Sequence, residues 1–353
     1  MKQRSFLFIL SVLLFWSCEN NLKVGIIAPL TGDYSTYGQA MKNGFNLAFE
    51  NSKFKLIFED SKFKSTDAIN AFNKLVQVDK VEVVYGEASS KVTLALAPEA
   101  QKQKKILFSS ISTADDITNS GDFVFRNVPT NYLQGKVAAE YLVKKLNCKK
   151  IGILKDNDDY GNSLAKSFIE FSNKLEGKIV REDSYLKGNK DFKPQLMKLK
   201  SSNIDGLFIP GNYNETAIIL KQMKELNISI PTIGGDGSYS HDLITNAGNA
   251  SEGFYLTHFK INEKNDFYIS FKKKFIAKYN REPDVYESYA YEAGFILRTA
   301  LESEGNNSEK IKEYLYNTTF NSLTGPLKFD SNGDVIRDFG VLRVKQGRFI
   351  NQN

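Results

Sequence analysis

The chain has 353 residues, which points to two domains or slightly more and is long enough to bury a sizeable core. Hydrophobic residues make up 41% of the sequence and charged residues 25%, a balance that excludes a disordered or fibrous protein. The formal charge of +6 is spread over lysines that alternate with acidic residues and do not cluster with aromatic ones, so nucleic acid is not an expected partner.

The first residues have the order of a secretory signal peptide, which we predict over 1–17. Two basic residues precede an apolar run from Phe6 to Trp16, and the small residue Ser17 stands before Cys18. The run is shorter than the about 20 residues that cross a membrane. A cysteine in this place is typical of bacterial lipoproteins, so we expect a lipid on Cys18; the alternative is a cysteine that ends an ordinary signal.

The other cysteine, Cys148, follows a helical pattern. With Cys18 lipidated, no disulfide framework is possible, and Cys148 is expected to be a small packed residue without chemistry.

After the signal segment, short apolar runs alternate with amphipathic stretches. The predicted strands are Val24 to Leu30, Phe54 to Glu59, Val81 to Tyr85, Ile106 to Phe108, Phe123 to Phe125, Ile151 to Leu154, Ile179 to Tyr185, Gly206 to Ile209 and Thr232 to Ile233. The predicted helices are Gly38 to Phe49, Ser65 to Val78, Val92 to Lys102, Leu133 to Leu146, Ser163 to Leu175, Phe192 to Leu199, Glu215 to Leu226, Phe267 to Tyr279 and Ser288 to Leu301. The alternation predicts an α/β fold with parallel sheets and helices on both faces.

The pattern occurs twice. A strand beginning at Lys23, a polar loop, and Tyr37-Gly38 at the start of a helix are echoed by a strand beginning at Lys150, a polar loop, and Tyr160-Gly161. The offset exceeds that of solenoid repeats, so we predict two similar α/β lobes with a cleft between them.

Ligands of such sheets bind beyond the carboxyl ends of the strands, where loops enter helices. Ser90 and Thr113 lie in two hydroxyl-rich loops of the first half, and Asp236 lies between glycines in the second half, which also offers Tyr160 and Tyr213. Helix capping and a turn aspartate explain each feature singly. Together they complement a small zwitterion, with its carboxylate near Ser90 and Thr113 and its ammonium near Asp236.

Signatures of catalysis are missing from the sequence. The two histidines, His241 and His258, belong to no HExxH or Cys/His arrangement, and no GxSxG, Walker or complete GxGxxG motif occurs. We therefore expect no enzyme, no metal site and no cofactor.

The opening from Leu22 to Gly32, followed by the segment from Tyr37 to Gly44, resembles the branched-chain amino-acid-binding proteins of ABC transporters. The likeness extends through Asp159-Tyr160-Gly161, Tyr289 to Ala293 and Gly325 to Gly333, and so covers nearly all of the mature chain. These are type I periplasmic binding proteins, similar to the leucine/isoleucine/valine-binding protein.

The resemblance implies a ligand site. It assigns the carboxylate end to Ser90 and Thr113, with backbone near Ile111 and Ser112, and the ammonium to Asp236, where the family commonly has Glu. It also implies an aromatic cleft formed by Tyr37, Tyr160 and Tyr213.

The same resemblance implies two doubly wound lobes joined by three hinge crossings, near Asn131, Phe259 and Arg337. Lobe 1 then comprises 22–130 and 259–336, and lobe 2 comprises 131–258 and 337–353. The chain would be a monomeric lipoprotein at the periplasmic or outer face of the cell membrane, held there through its lipid anchor alone. It would capture an α-amino acid, with Leu, Ile or Val expected, and pass it to ABC permease and ATPase subunits.

Two alternatives remain open. The same fold could serve a ligand-sensing or envelope regulatory protein that does not transport, or it could bind an amide, urea or an aromatic acid in place of an amino acid.

Overall fold

The computed structural model describes residues 22–352, so the predicted signal peptide and Cys18 lie outside the described residues. The strands are β1 (Lys23–Ala28), β2 (Lys55–Asp60), β3 (Val83–Tyr85), β4 (Ile106–Ser109), β5 (Val124–Arg126), β6 (Lys150–Asp156), β7 (Lys178–Tyr185), β8 (Gly206–Ile209), β9 (Thr232–Gly234), β10 (Tyr255–Phe259), β11 (Phe320–Ser322), β12 (Gly325–Leu327), β13 (Phe339–Lys345) and β14 (Arg348–Asn351). The helices are α1 (Ser35–Ala48), α2 (Ser65–Asn73), α3 (Ser90–Gln103), α4 (Asn131–Ala139), α5 (Asp159–Lys174), α6 (Lys193–Ser201), α7 (Tyr213–Glu225), α8 (His241–Ala247), α9 (Asp266–Tyr279), α10 (Val285–Glu304) and α11 (Ser308–Asn317).

The first nine strands and the predicted helices stand where the periodicity places them, within a few residues at the ends. π-helical turns continue α2 over Lys74–Val78 and α4 over Glu140–Lys145. The pattern does not predict β10 to β14, which are short or mostly antiparallel and lack the strand–helix alternation. Within residues 22–352, no helix has the length and apolar character needed to cross a membrane.

Two sheets organise the chain, and they share one strand order. The five-stranded sheet runs β2-β1-β3-β4-β5 and is parallel throughout. The seven-stranded sheet runs β7-β6-β8-β9-β10, also parallel, and is extended by β13 and β14, which are antiparallel. The central strands β3, β4 and β8 are buried along their whole length, as expected for parallel sheets covered by helices on both faces.

A glycine at the start of each lobe's first helix explains the repeated Tyr-Gly pair. A Cβ atom on Gly38 would lie 2.0 Å from the carbonyl oxygen of Pro29, and one on Gly161 would lie 2.2 Å from that of Asp156. Only glycine lets the helix approach the end of the strand so closely. The preceding residues, Tyr37 and Tyr160, are thereby fixed at equivalent places in the two lobes.

A buried ion pair holds the end of the first sheet to the segment between β12 and β13. The Arg126 side chain is fully buried, and its Nε and Nη2 donate to the two carboxylate oxygens of Asp334 at 2.5 and 3.0 Å. Its Nη1 donates to the carbonyl oxygen of Ala114 at 2.7 Å. The guanidinium thus ties three separate segments together by charge-assisted hydrogen bonds.

We predict that Asp334→Ala lowers the free energy of unfolding by about 3–5 kcal/mol, because it leaves the Arg126 guanidinium buried without a counter-ion. The double variant Arg126→Met/Asp334→Leu should recover much of that loss, since neither charge is then buried alone. Urea unfolding followed by circular dichroism measures both changes. A single variant as stable as the wild type would contradict this account of the pair.

Candidate functional site

The site lies where the two sheets face each other with their carboxyl ends. In a sheet of order 2-1-3-4-5, the loops after the first and third strands diverge to opposite faces and leave a crevice for ligands. Here the crevice lies between the loops that follow β1 and β3 in one lobe, and between those that follow β6 and β8 in the other. The cavity between the lobes is therefore bounded by two such crevices.

The cavity is tight: it encloses about 330 Å³ of space between atoms, open solvent at its mouth included. It is lined by Tyr37, Phe63, Ala88, Ser89, Ser90, Ile111, Asp158, Tyr160, Asn212, Asp236, Gly237 and Tyr286. Five of the predicted site residues are among them: Tyr37, Ser90, Ile111, Tyr160 and Asp236.

The wall from the first lobe offers hydrogen-bond donors. Ser90 is the first residue of α3, and the first N–H groups of a helix have no partner within it. The Ser90 Oγ accepts a hydrogen bond from the Ala114 N–H at 3.2 Å, which leaves its own proton free to be donated. Serine hydroxyl and helix N-terminus together favour a negatively charged group.

Ser112 and Thr113 do not line the cavity. The Ser112 Oγ donates to the carbonyl oxygen of Glu87 at 2.8 Å and bonds the Thr93 hydroxyl at 2.7 Å, so its side chain serves the lobe itself. Thr113 is fully buried behind the wall, and its Oγ1 has no hydrogen-bond partner among the described residues. An unsatisfied buried hydroxyl is costly, so a ligand atom within its reach would be favoured.

The backbone near Ile111 is also partly occupied. The N–H groups of Ile111 and Ser112 both donate to the Ser109 Oγ, at 3.3 and 3.0 Å. The carbonyl oxygens of Ser109 and Thr113 accept from the N–H groups of Asn127 and Asn131, at 3.3 and 2.7 Å. The backbone contact near Ile111 and Ser112 that the resemblance assigns to the carboxylate end stays a prediction.

Asp236 is the charged centre of the wall from the second lobe. Its Oδ1 accepts hydrogen bonds from the Gln134 Nε2 at 2.6 Å and the Tyr160 hydroxyl at 2.8 Å. Burial raises the pKa of Asp236 to about 6, although these hydrogen bonds and the nearby backbone N–H groups lower it. Within residues 22–352, no lysine or arginine forms an ion pair with this carboxylate.

The tyrosines of the two repeats meet at Gly237. The Tyr37 hydroxyl donates to the Gly237 carbonyl oxygen at 2.5 Å, and the Tyr160 hydroxyl accepts from the Gly237 N–H at 3.1 Å. The Tyr286 hydroxyl donates to the Asp236 carbonyl oxygen at 2.7 Å. Tyr37 and Tyr286 belong to the opposite lobe from Asp236, so these bonds join the lobes in a closed form.

Tyr213 lies behind the cavity wall. Its ring packs edge-on against Tyr37 with centroids 5.1 Å apart, and its hydroxyl donates to the carbonyl oxygen of Asp33 at 2.8 Å. The side chain therefore supports Tyr37 across the lobe boundary. Its neighbour Asn212 lines the cavity in its place.

Sequence reasoning misses several lining residues, among them Phe63, Ser89, Asp158, Asn212 and Tyr286. Four of them stand in loops that follow strands, so the rule that pointed to Ser90 also covers Phe63, Ser89, Asp158 and Asn212. Tyr286 is the second residue of α10, which packs against α1, and lies in no strand-end loop. Among the described residues, no group of three His, Cys, Asp or Glu side chains could hold a metal.

Comparison with family models identifies the chain's relatives. The periplasmic binding protein model matches residues 21–348. A leucine-, isoleucine-, valine-, threonine- and alanine-binding protein of Pseudomonas aeruginosa is 26% identical over 332 residues, which are 90% of this chain and 87% of that protein.

Solved structures agree with this. A leucine-binding protein from Thermotoga maritima superposes with a TM-score of 0.89 at 29% identity, covering 94% of this chain and 98% of that one. A branched-chain amino acid transporter substrate-binding protein from Streptococcus pneumoniae, in complex with isoleucine, gives 0.86 at 28% identity over 93% and 97%. An ABC transporter solute-binding protein from R. palustris in complex with benzoate also gives 0.86, at 21% identity over 94% and 95%, and shows the fold alone.

We predict that Asp236 titrates at about 6 in the ligand-free protein, above its ordinary value of 3.8. Gln134→Leu should raise this pKa further, because it removes a donor to the charged form. Tyr286→Phe is the matched control, since it removes only the hydrogen bond to the Asp236 main chain. Carbon-detected NMR titration of the aspartate carboxyls gives the values; an unchanged pKa in Gln134→Leu would contradict the role of that donor.

Proposed function

The chain belongs to the periplasmic binding protein family, and on that premise we propose that it captures a free α-amino acid with an apolar side chain, leucine, isoleucine or valine, outside the cytoplasm. Membership makes it a solute-binding protein and not an enzyme. The two relatives of known structure named for leucine and for branched-chain amino acids, at 28–29% identity, support the choice of ligand.

The observation that carries the proposal is the buried Asp236 carboxylate facing hydrogen-bond donors of the other lobe. A carboxylate removed from water without a cationic partner favours a ligand that brings a positive charge. Ser90 and the start of α3 favour a negative one across the same cavity. An α-amino acid carries both charges on neighbouring atoms and so matches both walls.

The remaining walls support an apolar side chain. Rings of Tyr37, Phe63, Tyr160 and Tyr286, with Ile111, supply most of the cavity surface beyond the two charged ends. Such a wall stabilises an aliphatic group by burial, at about 25 cal/mol for each Å² removed from water. The small volume favours a single amino acid over a peptide.

Capture would proceed by closure of the lobes about the three crossings near Asn131, Phe259 and Arg337. The lobe limits given above are part of this proposal, as are a monomeric state and a lipid on Cys18 that holds the protein at the membrane. The closed, loaded form would dock on an ABC permease with its ATPase subunits. A ligand drives closure only through contacts that the open form lacks.

An aromatic acid is the second candidate, because the R. palustris protein that shares the fold binds benzoate. Benzoate has no ammonium, so it would leave Asp236 buried without a partner. Amides and urea are neutral and would also leave Asp236 without a partner. Aromatic acids, amides and urea are therefore weaker candidates for the ligand than an amino acid. A purely sensory protein would use the same ligand site and would differ from a transport protein only in its partners.

A thermal-shift screen tests the ligand class. The protein should be unfolded and refolded to remove carried-over solute, then tested with single amino acids, benzoate, acetamide and urea. Ligand at about 100 times its dissociation constant stabilises the fold by about 2.7 kcal/mol. We expect stabilisation by leucine, isoleucine or valine; stabilisation by benzoate or urea alone would reject the amino-acid assignment, and no stabilisation at all would favour a role without solute capture.

Asp236→Ala should weaken leucine binding by about 2–5 kcal/mol, because the ammonium then enters the cavity unpaired. Calorimetric titration measures the loss. Asp236→Asn is the matched control that keeps the shape and removes the charge, and it should lose a similar amount. Wild-type affinity in either variant would show that the ammonium binds elsewhere.

Leucine affinity should also depend on pH. Below about 6, Asp236 must release a proton before it receives the ammonium, so the association constant should fall by about tenfold for each pH unit and level off above that pKa. Burial raises the pKa of Glu87 and of Asp156 to about 7, so both titrate nearby. The Asp236→Asn variant retains Glu87 and Asp156. If its association constant for leucine depends on pH as that of the wild type does, the pH dependence comes from those two groups.

A further inference from the structure

One aromatic side chain stands between the cavity and an outer groove. Phe63 lines the cavity and also an outer groove of about 970 Å³, and Ser89 and Asp158 are the other residues common to both. Ser89 is small and Asp158 is held by its own hydrogen bonds, so Phe63 is the largest side chain in this shared wall. The groove beyond it also contains Lys91 and Lys187.

The backbone of Phe63 is fixed in an unusual conformation. Its φ is 60°, in the left-handed region that bulky residues avoid. The Phe63 N–H donates to the Ser61 Oγ at 3.2 Å, and that hydroxyl donates to the buried Glu87 carboxylate at 2.6 Å. A strained residue held in place by its surroundings points to a functional constraint on where its side chain lies.

The ring itself is held between the two lobes. It stacks on Tyr34 of its own lobe with centroids 4.3 Å apart, and the Lys187 Nζ lies beside this stack, 4.4 Å from the Phe63 centroid and 5.1 Å from the Tyr34 centroid. Phe63 follows β2 and Lys187 follows β7, the edge strands of the two sheets. The contact is a cation–π interaction across the mouth of the cleft.

Lys187 is anchored on its own side by acidic groups. Its Nζ lies 3.1 Å from the Asp158 carboxylate and 3.5 Å from that of Asp156. The adjacent Gly188 N–H donates to Glu215 at 2.9 Å, and the same carboxylate oxygen accepts from the Tyr34 hydroxyl at 2.8 Å. The ion pairs of Lys187 and the bond from Gly188 to Glu215 lie within the second lobe, whereas the bond from Tyr34 joins the lobes at the same place.

We propose that Phe63 is the gate through which the solute leaves, and that Lys187 holds this gate shut in the closed form. The inference rests on the proposed function, because it concerns how long the captured amino acid stays. Opening the lobes breaks the contact between Phe63 and Lys187 and leaves the ion pairs of Lys187 intact. The contact therefore stabilises the closed state and slows dissociation more than it affects association.

Stopped-flow dissociation of leucine tests the proposal. We expect Phe63→Ala to raise the dissociation rate constant at least tenfold, Lys187→Met to raise it severalfold, and Phe63→Tyr to restore slow release because it keeps the ring. Lys91→Met is the control: it removes a charge from the same groove without contact to the ring, and its rate should match the wild type.

The two gate residues should act as a unit. The double variant Phe63→Ala/Lys187→Met should release leucine no faster than Phe63→Ala alone, since Lys187 acts through the ring. The gate would be rejected if the two single substitutions multiplied their effects on the dissociation rate constant in the double variant. It would also be rejected if Phe63→Ala released leucine at the wild-type rate. If Phe63→Ala does not fold, Phe63→Leu replaces it, keeping the apolar bulk without the ring. Failure of the wild-type protein to bind leucine would instead reject the proposed ligand.

Discussion

The carboxylate of Asp236 is the group on which the rest of the site depends, because a charge removed from water needs a partner. Gln134 and Tyr160 give it hydrogen bonds but no positive charge, and burial still raises its pKa to about 6. In the proposed binding mode, the ammonium of the amino acid would supply the missing positive charge. The buried and unpaired carboxylate makes the free protein less stable, and relief of this cost on binding would contribute to the free energy of binding.

The duplicated topology explains how opposite chemistries come to face each other. Both lobes place a tyrosine after the first strand, held by the close approach of Gly38 and Gly161 to the strand ends, and both hydroxyls bond Gly237. The loops after the later strands differ. One lobe presents hydroxyl groups and the start of α3 to the cavity, and the other presents the Asp236 carboxylate. Only the two lobes together therefore complement a zwitterion.

The sequence predicts the fold well, because parallel strands buried on both faces are continuous apolar runs that alternate with amphipathic helices. It also predicts which loops reach the cavity, since that follows from strand direction. It does not predict side-chain direction within a loop: Asn212 lines the cavity and Tyr213 does not, although the two are adjacent. Nor does it predict Phe63, which stands in a left-handed turn, or Tyr286, which lies at the start of a helix and not in a loop after a strand.

Closure must be nearly balanced in the free protein for a solute to control it. The hydrogen bonds that join the lobes, such as that from Tyr34 to Glu215 and that from Thr36 to Asp242, each contribute about 1.5–3 kcal/mol net because their acceptors are carboxylates. The ion pairs of Lys187 lie within one lobe and favour neither state. In the proposed binding mode, contacts of the solute with Ser90 on one side and Asp236 on the other would decide the equilibrium, because only closure brings both within reach of one molecule.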